Sequence, residues 1–258
     1  MKYIDVSKFQ GRIDWEKVKQ TDVAGVMIHA GYGQGNIDEQ FVRNISECNR
    51  LNIPCGIYWF GYAYTKQMAL SEAFYALKAV APYRLELPIA YDWEYDSERV
   101  AKNHGITPTP QLVNTLVKTF CGAIENDGYY AMNYTNLDFL GRLMTDVKAY
   151  DLWLAQWNGN PSTAKPSRSC GIWQWGASKV DGIGSNVDTN ESYRDYPTII
   201  RNAGLNNLRP EPAPTLGDLA EAWAVERGLA PADYDPGEPM TLQSTIELLY
   251  QLHGKENE

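Results

Sequence analysis

The chain has 258 residues and a formal net charge of −9, from 23 Lys and Arg against 32 Asp and Glu. No run of basic residues suits phosphate contacts, so nucleic acid ranks last among candidate partners. The N-terminal MKYIDVSKFQ has no apolar signal-peptide core and no stretch of about 18 apolar residues occurs, so we expect cytoplasmic synthesis without a membrane span.

Eight apolar or β-branched runs mark the chain in order. Near-continuous runs of this kind are typical of strands buried on both faces of a parallel sheet. They lie at 3–6, 24–30, 53–62, 87–93, 129–134, 151–157, 171–175 and around Val187.

Helix-like segments alternate with these strands at 14–20, 38–52, 65–81 and 110–127. In the last segment, Thr109 provides an N-cap and Pro110 takes the first helical position. The alternation predicts an α/β fold, an irregular TIM-like β/α barrel of about eight strands with fewer helices than strands.

The composition changes at 209-RPEPAPT-215, where three prolines indicate a stiff linker. The barrel is therefore expected over 1–208, the linker over 209–215 and a small two-helix domain over 216–258. Because 216–258 is too short for a core of its own, we expect it to dock or to oligomerise.

Barrel enzymes carry their chemistry at the carboxyl ends of the strands. The residues expected there are Asp5, Tyr62, Asp92, Glu94, Gln156 and Asp188. The segment 89-IAYDWEYDSER-99 is notable because, on a strand, Asp92, Glu94 and Asp96 all point to one face.

On a strand, the Cα atoms of Asp92 and Glu94 lie roughly 6.5 to 7 Å apart. Two carboxyls at that spacing can straddle a glycosidic bond, one protonated as the acid and the other ionised to stabilise positive charge. Asp5 and Asp188 are expected nearby because the first and last strands of a barrel are neighbours, and mutual repulsion can keep one acid protonated.

Two other interpretations of the acidic cluster stay open. One is a solvated loop, which fits Asp96 best; the other is a Ca²⁺ or Mg²⁺ site, although the spacing is not that of an EF-hand. With three histidines and no HExxH motif or His/Cys cluster, no dedicated metal site is predicted.

Seven short motifs in one order resemble glycoside hydrolase family 25, the lysozymes (N-acetylmuramidases) of phage endolysins and bacterial autolysins. They are 4-IDVSKFQGRIDW-15, 27-MIHAGYG-33, 55-CGIYWFGYA-63, 91-YDWE-94, 153-WLAQW-157, 172-IWQW-175 and 187-VDTN-190.

This resemblance implies a cofactor-independent enzyme that cleaves the β-1,4 bond between N-acetylmuramic acid and N-acetylglucosamine in peptidoglycan. It implies that Glu94 is the general acid and that Asp92 stabilises the oxocarbenium-like centre or positions the N-acetyl group. Asp5 and Asp188 would complete an acidic floor. The expected setting is a phage endolysin that acts on Gram-positive walls after release.

Strand-end aromatic residues are candidates to stack on sugar rings, with Gln156 as a polar contact. They are Tyr58, Phe60, Tyr62, Tyr134, Trp157 and Trp175, of which Tyr62, Tyr134 and Trp157 are favoured. Each ring can instead be barrel core, because strand residues alternate between inside and outside.

Three rival functions are weighed against the lysozyme, one of them an interaction protein that acts through residues 209–258. A family 18 chitinase pattern aligned on Glu94 needs Asp at 87 and 90, where this chain has Leu87 and Ala90. A non-catalytic wall-glycan-binding module is the competing class, and the intact Asp92 and Glu94 disfavour it.

The segment 222–254 resembles a single S-layer homology repeat, although 240-MTLQST-245 lacks the Arg and Glu usual there. The resemblance implies binding of secondary cell-wall polysaccharide through 216–258. Self-association of these helices into a homo-oligomer is equally open.

Overall fold

The computed structural model describes residues 1–208, so the predicted linker and two-helix domain lie outside the described residues. Its strands are β1 (Lys2–Val6), β2 (Gly25–Tyr32), β3 (Asn36–Ile37), β4 (Cys55–Phe60), β5 (Ile89–Asp92), β6 (Ala131–Asn136), β7 (Asp151–Ala155), β8 (Ile172–Ser178) and β9 (Val187–Ser192). Its helices are α1 (Trp15–Lys19), α2 (Phe41–Arg50), α3 (Lys66–Val80), α4 (Tyr95–Asn103), α5 (Pro110–Asn126), α6 (Leu137–Arg142) and α7 (Tyr196–Asn202).

Eight of these strands close into a barrel in the order β1-β9-β8-β7-β6-β5-β4-β2, and β2 pairs back to β1. The predicted irregular α/β barrel is confirmed, with β3 as a short addition that forms a hairpin with β2. The parallel arrangement fails for β9, which runs antiparallel to both β1 and β8. Residues 179–186 are too few for the crossover that a parallel pair needs, so the chain reverses there.

The barrel wall separates two apolar clusters because alternate strand residues face opposite sides. Outward residues such as Ile4, Ile28 and Ile57 join the cluster formed with α2, α3 and α5. Inward residues form a second cluster with Tyr196 and Ile200 of α7. Its barrel members are Tyr3, Met27, Leu87, Ala90, Met132, Trp153 and Ile172. This apolar plug fills one end of the interior and leaves the other end to polar side chains.

Asn206 closes the plugged end after α7. Its Nδ2 donates to the carbonyls of Leu85 (3.1 Å) and Leu87 (3.0 Å), and its Oδ1 accepts from the Tyr130 N–H (2.8 Å). Its φ of 55° is left-handed, a region that Asn enters more readily than most residues. No helix within residues 1–208 is long and apolar enough to cross a membrane.

Candidate active site

A cavity of about 270 Å³ opens at the carboxyl ends of the parallel strands. Its lining contains all four predicted carboxylates. The lining residues are Asp5, Ser7, Phe9, Gln10, His29, Tyr58, Phe60, Asp92, Glu94, Tyr134, Trp153, Gln174 and Asp188. Because β9 is antiparallel, Asp188 near its amino end reaches the same mouth, directly opposite Asp5 in the β1–β9 register.

The strand that carries Asp92 is shorter than the sequence predicts. β5 ends at Asp92, and Glu94 is the extended N-cap residue of α4, with its N–H donated to the Ser97 Oγ (2.9 Å). Trp93 between them points into the core, where its Nε1 donates to the Ala63 carbonyl (3.0 Å). Asp92 and Glu94 therefore still reach one cavity, while Asp96 lies exposed in the first turn of α4 and pairs with Arg99.

Asp5 is buried beneath a network of amides. Its Oδ2 accepts from the Nδ2 of Asn190 (2.8 Å) and the Nε2 of Gln174 (3.1 Å). Asn190 in turn accepts from the Trp153 indole (2.7 Å), and Gln174 accepts from the Tyr134 hydroxyl (3.1 Å). The network fixes the orientation of the Asp5 carboxyl at the cavity floor.

Asp92 has no such support. It is only 6% exposed, and its Oδ1 is buried without a hydrogen-bond partner among the described residues. A buried acceptor of this kind is costly unless something else pairs with it.

All four carboxyls have raised pKa values, and burial is the first cause in each. Burial and the nearby charge of Asp188 raise the pKa of Asp5 to about 7, against the two amide donors. Burial, then the charges of Glu94 and Asp5, raise the pKa of Asp92 well above its usual range. Burial also raises the pKa of Glu94 and of Asp188, and for Glu94 the Tyr134 hydroxyl opposes the shift. The site can therefore hold protons near neutral pH.

The predicted aromatic and polar contacts divide into two groups. Tyr58, Phe60 and Tyr134 line the cavity, whereas Tyr62, Gln156, Trp157 and Trp175 are not among its lining residues. Tyr62 packs against Phe60 at a ring-centroid distance of 5.1 Å, beside the mouth. Trp157 is 61% exposed and reaches inward only through its Nε1, which donates to the Gln174 Oε1 (3.3 Å).

Gln156 and Trp175 are placed differently from expectation for local reasons. The Gln156 amide exchanges two hydrogen bonds with Ser167, donating to Oγ (2.7 Å) and accepting from N–H (2.8 Å), so it organises the loop after β7. On β8, Ile172 and Gln174 face the barrel interior, so the alternation of side chains turns Trp175 to the other face.

Comparison with known families decides what this barrel is. Residues 4–183 match the model of the family described as "Glycosyl hydrolases family 25". The chain belongs to this family. The family predicted from the seven motifs is thereby confirmed, and the S-layer resemblance falls outside the described residues. Among curated proteins, none matches the chain.

Several solved structures are similar to this family 25 barrel. The modular autolysin LytC from Streptococcus pneumoniae, in complex with synthetic peptidoglycan ligand, is 28% identical, with a TM-score of 0.63. That match covers 73% of this chain and 46% of LytC, so the chain spans about half the length of that relative. A family 25 glycosyl hydrolase from Bacillus anthracis (21% identity, TM-score 0.63, 75% and 89% covered) shares the fold. The bacterial lysozyme from Streptomyces coelicolor also shares it, with 22% identity and a TM-score of 0.61, over 80% of this chain and 97% of the lysozyme.

The family 25 cavity also contains residues that the sequence argument did not single out. Trp153 packs edge-on against Tyr134 at 4.7 Å, and Phe9, 81% exposed, stands at the rim. His29 and Gln174 complete the wall. His29, Trp153 and Gln174 lie inside quoted motifs, at alternate strand positions that share a face with the carboxylates, and this alternation was the available signal.

Within residues 1–208, no three His, Cys, Asp or Glu side chains are grouped so that they could hold a metal ion. The four cavity carboxyls are instead distributed around the mouth, on β1, β5, the α4 cap and β9.

Proposed function

We propose that this protein is a peptidoglycan hydrolase, a lysozyme that cleaves the β-1,4 bond between N-acetylmuramic acid and N-acetylglucosamine. The observation that carries the proposal is the set of carboxyls with raised pKa values at the mouth of a family 25 barrel. The peptidoglycan ligand bound by the similar autolysin supports the substrate.

In this proposal Glu94 is the general acid. It is partly exposed, so it can reach a glycosidic oxygen, and burial raises its pKa, which favours the protonated form. It donates its proton to the leaving oxygen as the bond to the anomeric carbon breaks.

Asp92 is the natural partner for the substrate's N-acetyl group. Its unpaired Oδ1 can accept the acetamido N–H, which supplies the missing hydrogen bond and favours the ionised carboxyl. That contact orients the acetamido oxygen toward the anomeric carbon, as substrate assistance requires. Asp5 and Asp188 maintain the negative field around the positively charged transition state.

The sugar itself is expected to lie against Tyr58, Phe60 and Tyr134, whose rings line the cavity. Lysis of Gram-positive walls by an endolysin or autolysin belongs to the same proposal, and the autolysin from Streptococcus pneumoniae is the similar protein that supports it.

The test is loss of turbidity of purified Gram-positive cell walls. We expect Glu94→Gln to lower the rate by about 100-fold or more, because a positioned general acid contributes roughly 10²–10⁴-fold. Glu125→Gln on the exposed face of α5 is the matched control and should lyse walls at the wild-type rate. Equal lysis by wild type and Glu94→Gln would contradict the proposal. Binding of the wild type to walls without release of new reducing ends would indicate a glycan-binding module.

The bond that is cleaved is read by mass spectrometry of the digest. Reducing-end N-acetylmuramic acid is the expected product, whereas reducing-end N-acetylglucosamine would make the enzyme a glucosaminidase.

A further inference from the structure

His29 on β2 lines the cavity but has no part in the roles given above. It stands in register with Tyr58 of β4, and the two rings stack with centroids 4.8 Å apart and planes at 23°. The stacking fixes the plane of the imidazole at the cavity wall.

One ring nitrogen is held from behind by a buried carboxylate. Nδ1 lies 2.9 Å from the Oδ2 of Asp38, and Asp38 also accepts the backbone N–H groups of Lys8 (3.1 Å) and Gln40 (2.9 Å). Burial alone would raise the pKa of Asp38, but the hydrogen bonds from His29, Gln40 and Lys8, and the charge of the imidazole when it is protonated, together lower it. An ionised carboxylate accepts and cannot donate, so the proton of a neutral imidazole belongs on Nδ1.

The other ring nitrogen is left without a partner. With the proton on Nδ1, Nε2 of the neutral ring is a hydrogen-bond acceptor. Nε2 is buried and has no hydrogen-bond partner among residues 1–208. Apart from the Asp92 Oδ1, it is the only such atom, within the described chain, on a residue that lines the cavity.

We propose that Nε2 of His29 accepts a hydrogen bond from the bound sugar, from a hydroxyl or an acetamido N–H, and so helps to determine substrate specificity. The inference rests on the proposed function and deepens it. Because Nε2 is closed to solvent in the free protein, the contact forms as the cavity wall adjusts around the substrate. Asp38 acts through His29 as a positioning residue that sets the tautomer.

The first test compares kcat and KM on soluble glycan strands for His29→Leu and His29→Gln. Leucine removes the acceptor, and we expect kcat/KM to fall roughly 10- to 100-fold, the loss of one substrate hydrogen bond. Glutamine places an amide oxygen near the position of Nε2, so His29→Gln should stay within about threefold of wild type.

His104→Leu is the matched control. His104 also stacks on a tyrosine, Tyr64 (4.7 Å, 21°), and its Nδ1 lies 2.9 Å from the Val100 carbonyl, but it is exposed and does not line the cavity. We expect wild-type kcat/KM. Loss of activity equal to that of His29→Leu would show that removing a stacked histidine is harmful for structural reasons alone, and the inference would fall.

The second test is ¹⁵N NMR of the His29 ring in the full chain, with tri-N-acetylglucosamine as the probe. We expect the neutral ring to be the tautomer with its proton on Nδ1, and the Nε2 resonance to shift on saturation with the trisaccharide. A protonated Nε2, an unmoved resonance, or wild-type kcat/KM in His29→Leu overturns the inference. If His29→Leu does not fold, the NMR result decides. Failure of the proposed function looks different, because the wild type itself would then release no reducing ends.

Discussion

Asp5 and Asp92 lie at similar depth in the barrel but differ in their hydrogen bonds. Two amides donate to Asp5, whereas the buried Oδ1 of Asp92 receives no donor from the described residues. Donors stabilise a carboxylate, so in the free enzyme burial favours a protonated Asp92 more strongly than a protonated Asp5. In the proposed mechanism, a substrate N–H at Asp92 would reverse that preference and leave Glu94 as the acid.

Asp188 should set part of the pH range of the enzyme. Burial, then the charges of Asp96 and Asp188, raise the pKa of Glu94. A general acid works only below its pKa, so activity declines as the pH rises through that value. Asp188→Asn removes the charge and lowers the pKa of Glu94. We therefore expect the decline of kcat/KM at high pH to begin at lower pH in the variant. Relative to wild type, the variant should lose severalfold more kcat/KM at pH 8 than at pH 5.

Asp96→Asn is the control for that experiment. The charge of Asp96 comes ahead of that of Asp188 among the causes that raise the pKa of Glu94. Asp96 is exposed and paired with Arg99, however, so water and salt screen its charge and we expect its real effect to be the smaller. Wall lysis should stay near the wild-type level, and the pH at which kcat/KM declines should change little. If Asp96→Asn shifts the pH profile as far as Asp188→Asn does, the premise that solvent screens the charge of Asp96 is wrong.

At the level of elements, a buried carboxyl on α3 joins the turn after β4 to the strand that carries Asp92. Glu72 accepts from the Tyr62 N–H (2.8 Å) and the Tyr91 hydroxyl (2.7 Å). Gly61 in the same turn donates to the Asp92 carbonyl (2.7 Å), and a Cβ at Gly61 would lie 2.5 Å from the Tyr91 Oη. The turn thus requires glycine and holds β5 in place beneath the active site.

Glu72→Gln should flatten the pH dependence of stability. Burial raises the pKa of Glu72 to about 7 from 4.5. A raised pKa means that the folded state favours the protonated form, so this stabilisation is complete below pH 4.5 and is lost as the pH rises through about 7. The loss amounts to at most about 3 kcal/mol. Urea unfolding at pH 5 and pH 8 measures it, and we expect a smaller difference in the variant.

Glu125→Gln on α5 is the control and should leave that difference unchanged, because Glu125 lies exposed on the surface of the helix. An undiminished pH dependence in Glu72→Gln would mean that another buried acid, with Asp5 the first candidate, carries the whole effect.

The sequence was sufficient for elements with a strong apolar period. All eight barrel strands and α1, α2, α3 and α5 lie where their patterns predict, to within a few residues at the ends. The helix α4 was not predicted, because its buried residues, Ser97 and Ala101, are small and its sequence is charged. It is supported instead by ion pairs of Glu98 with Arg142 and Lys102, one of which comes from a distant segment.

Some residues of the candidate site could likewise be predicted from the sequence pattern, and others could not. Carboxylates at strand ends follow from alternation, so Asp5, Asp92, Glu94 and Asp188 could be predicted to meet. The Gln156–Ser167 pair could not, because loop contacts depend on three-dimensional packing. Trp175 could have been excluded, because it alternates with Gln174 on the same strand.

At the scale of the whole molecule, Asn206→Ala should destabilise the end of the barrel that is filled by the apolar cluster. The substitution leaves the carbonyls of Leu85 and Leu87 and the Tyr130 N–H without their partner, and alanine tolerates the left-handed backbone less well. We expect the free energy of unfolding to fall by roughly 2–4 kcal/mol, because unsatisfied buried groups cost about 1–3 kcal/mol each. Urea denaturation measures this.

Asn202→Ala at the exposed end of α7 should change the free energy of unfolding by less than about 0.5 kcal/mol. Specific activity at low temperature should be unchanged in both variants, since Asn206 lies at the end of the barrel away from the cavity. A stable Asn206→Ala protein would show that water replaces the amide there.

The hydrogen bond between Asp5 and Asn190 joins side chains 185 residues apart in the chain. Contacts between residues far apart in the sequence form only as the intervening chain becomes ordered, so the acidic floor is complete only when β9 docks beside β1. A chain that ended before Asp188 would lack that carboxyl and the Asn190 amide that donates to Asp5.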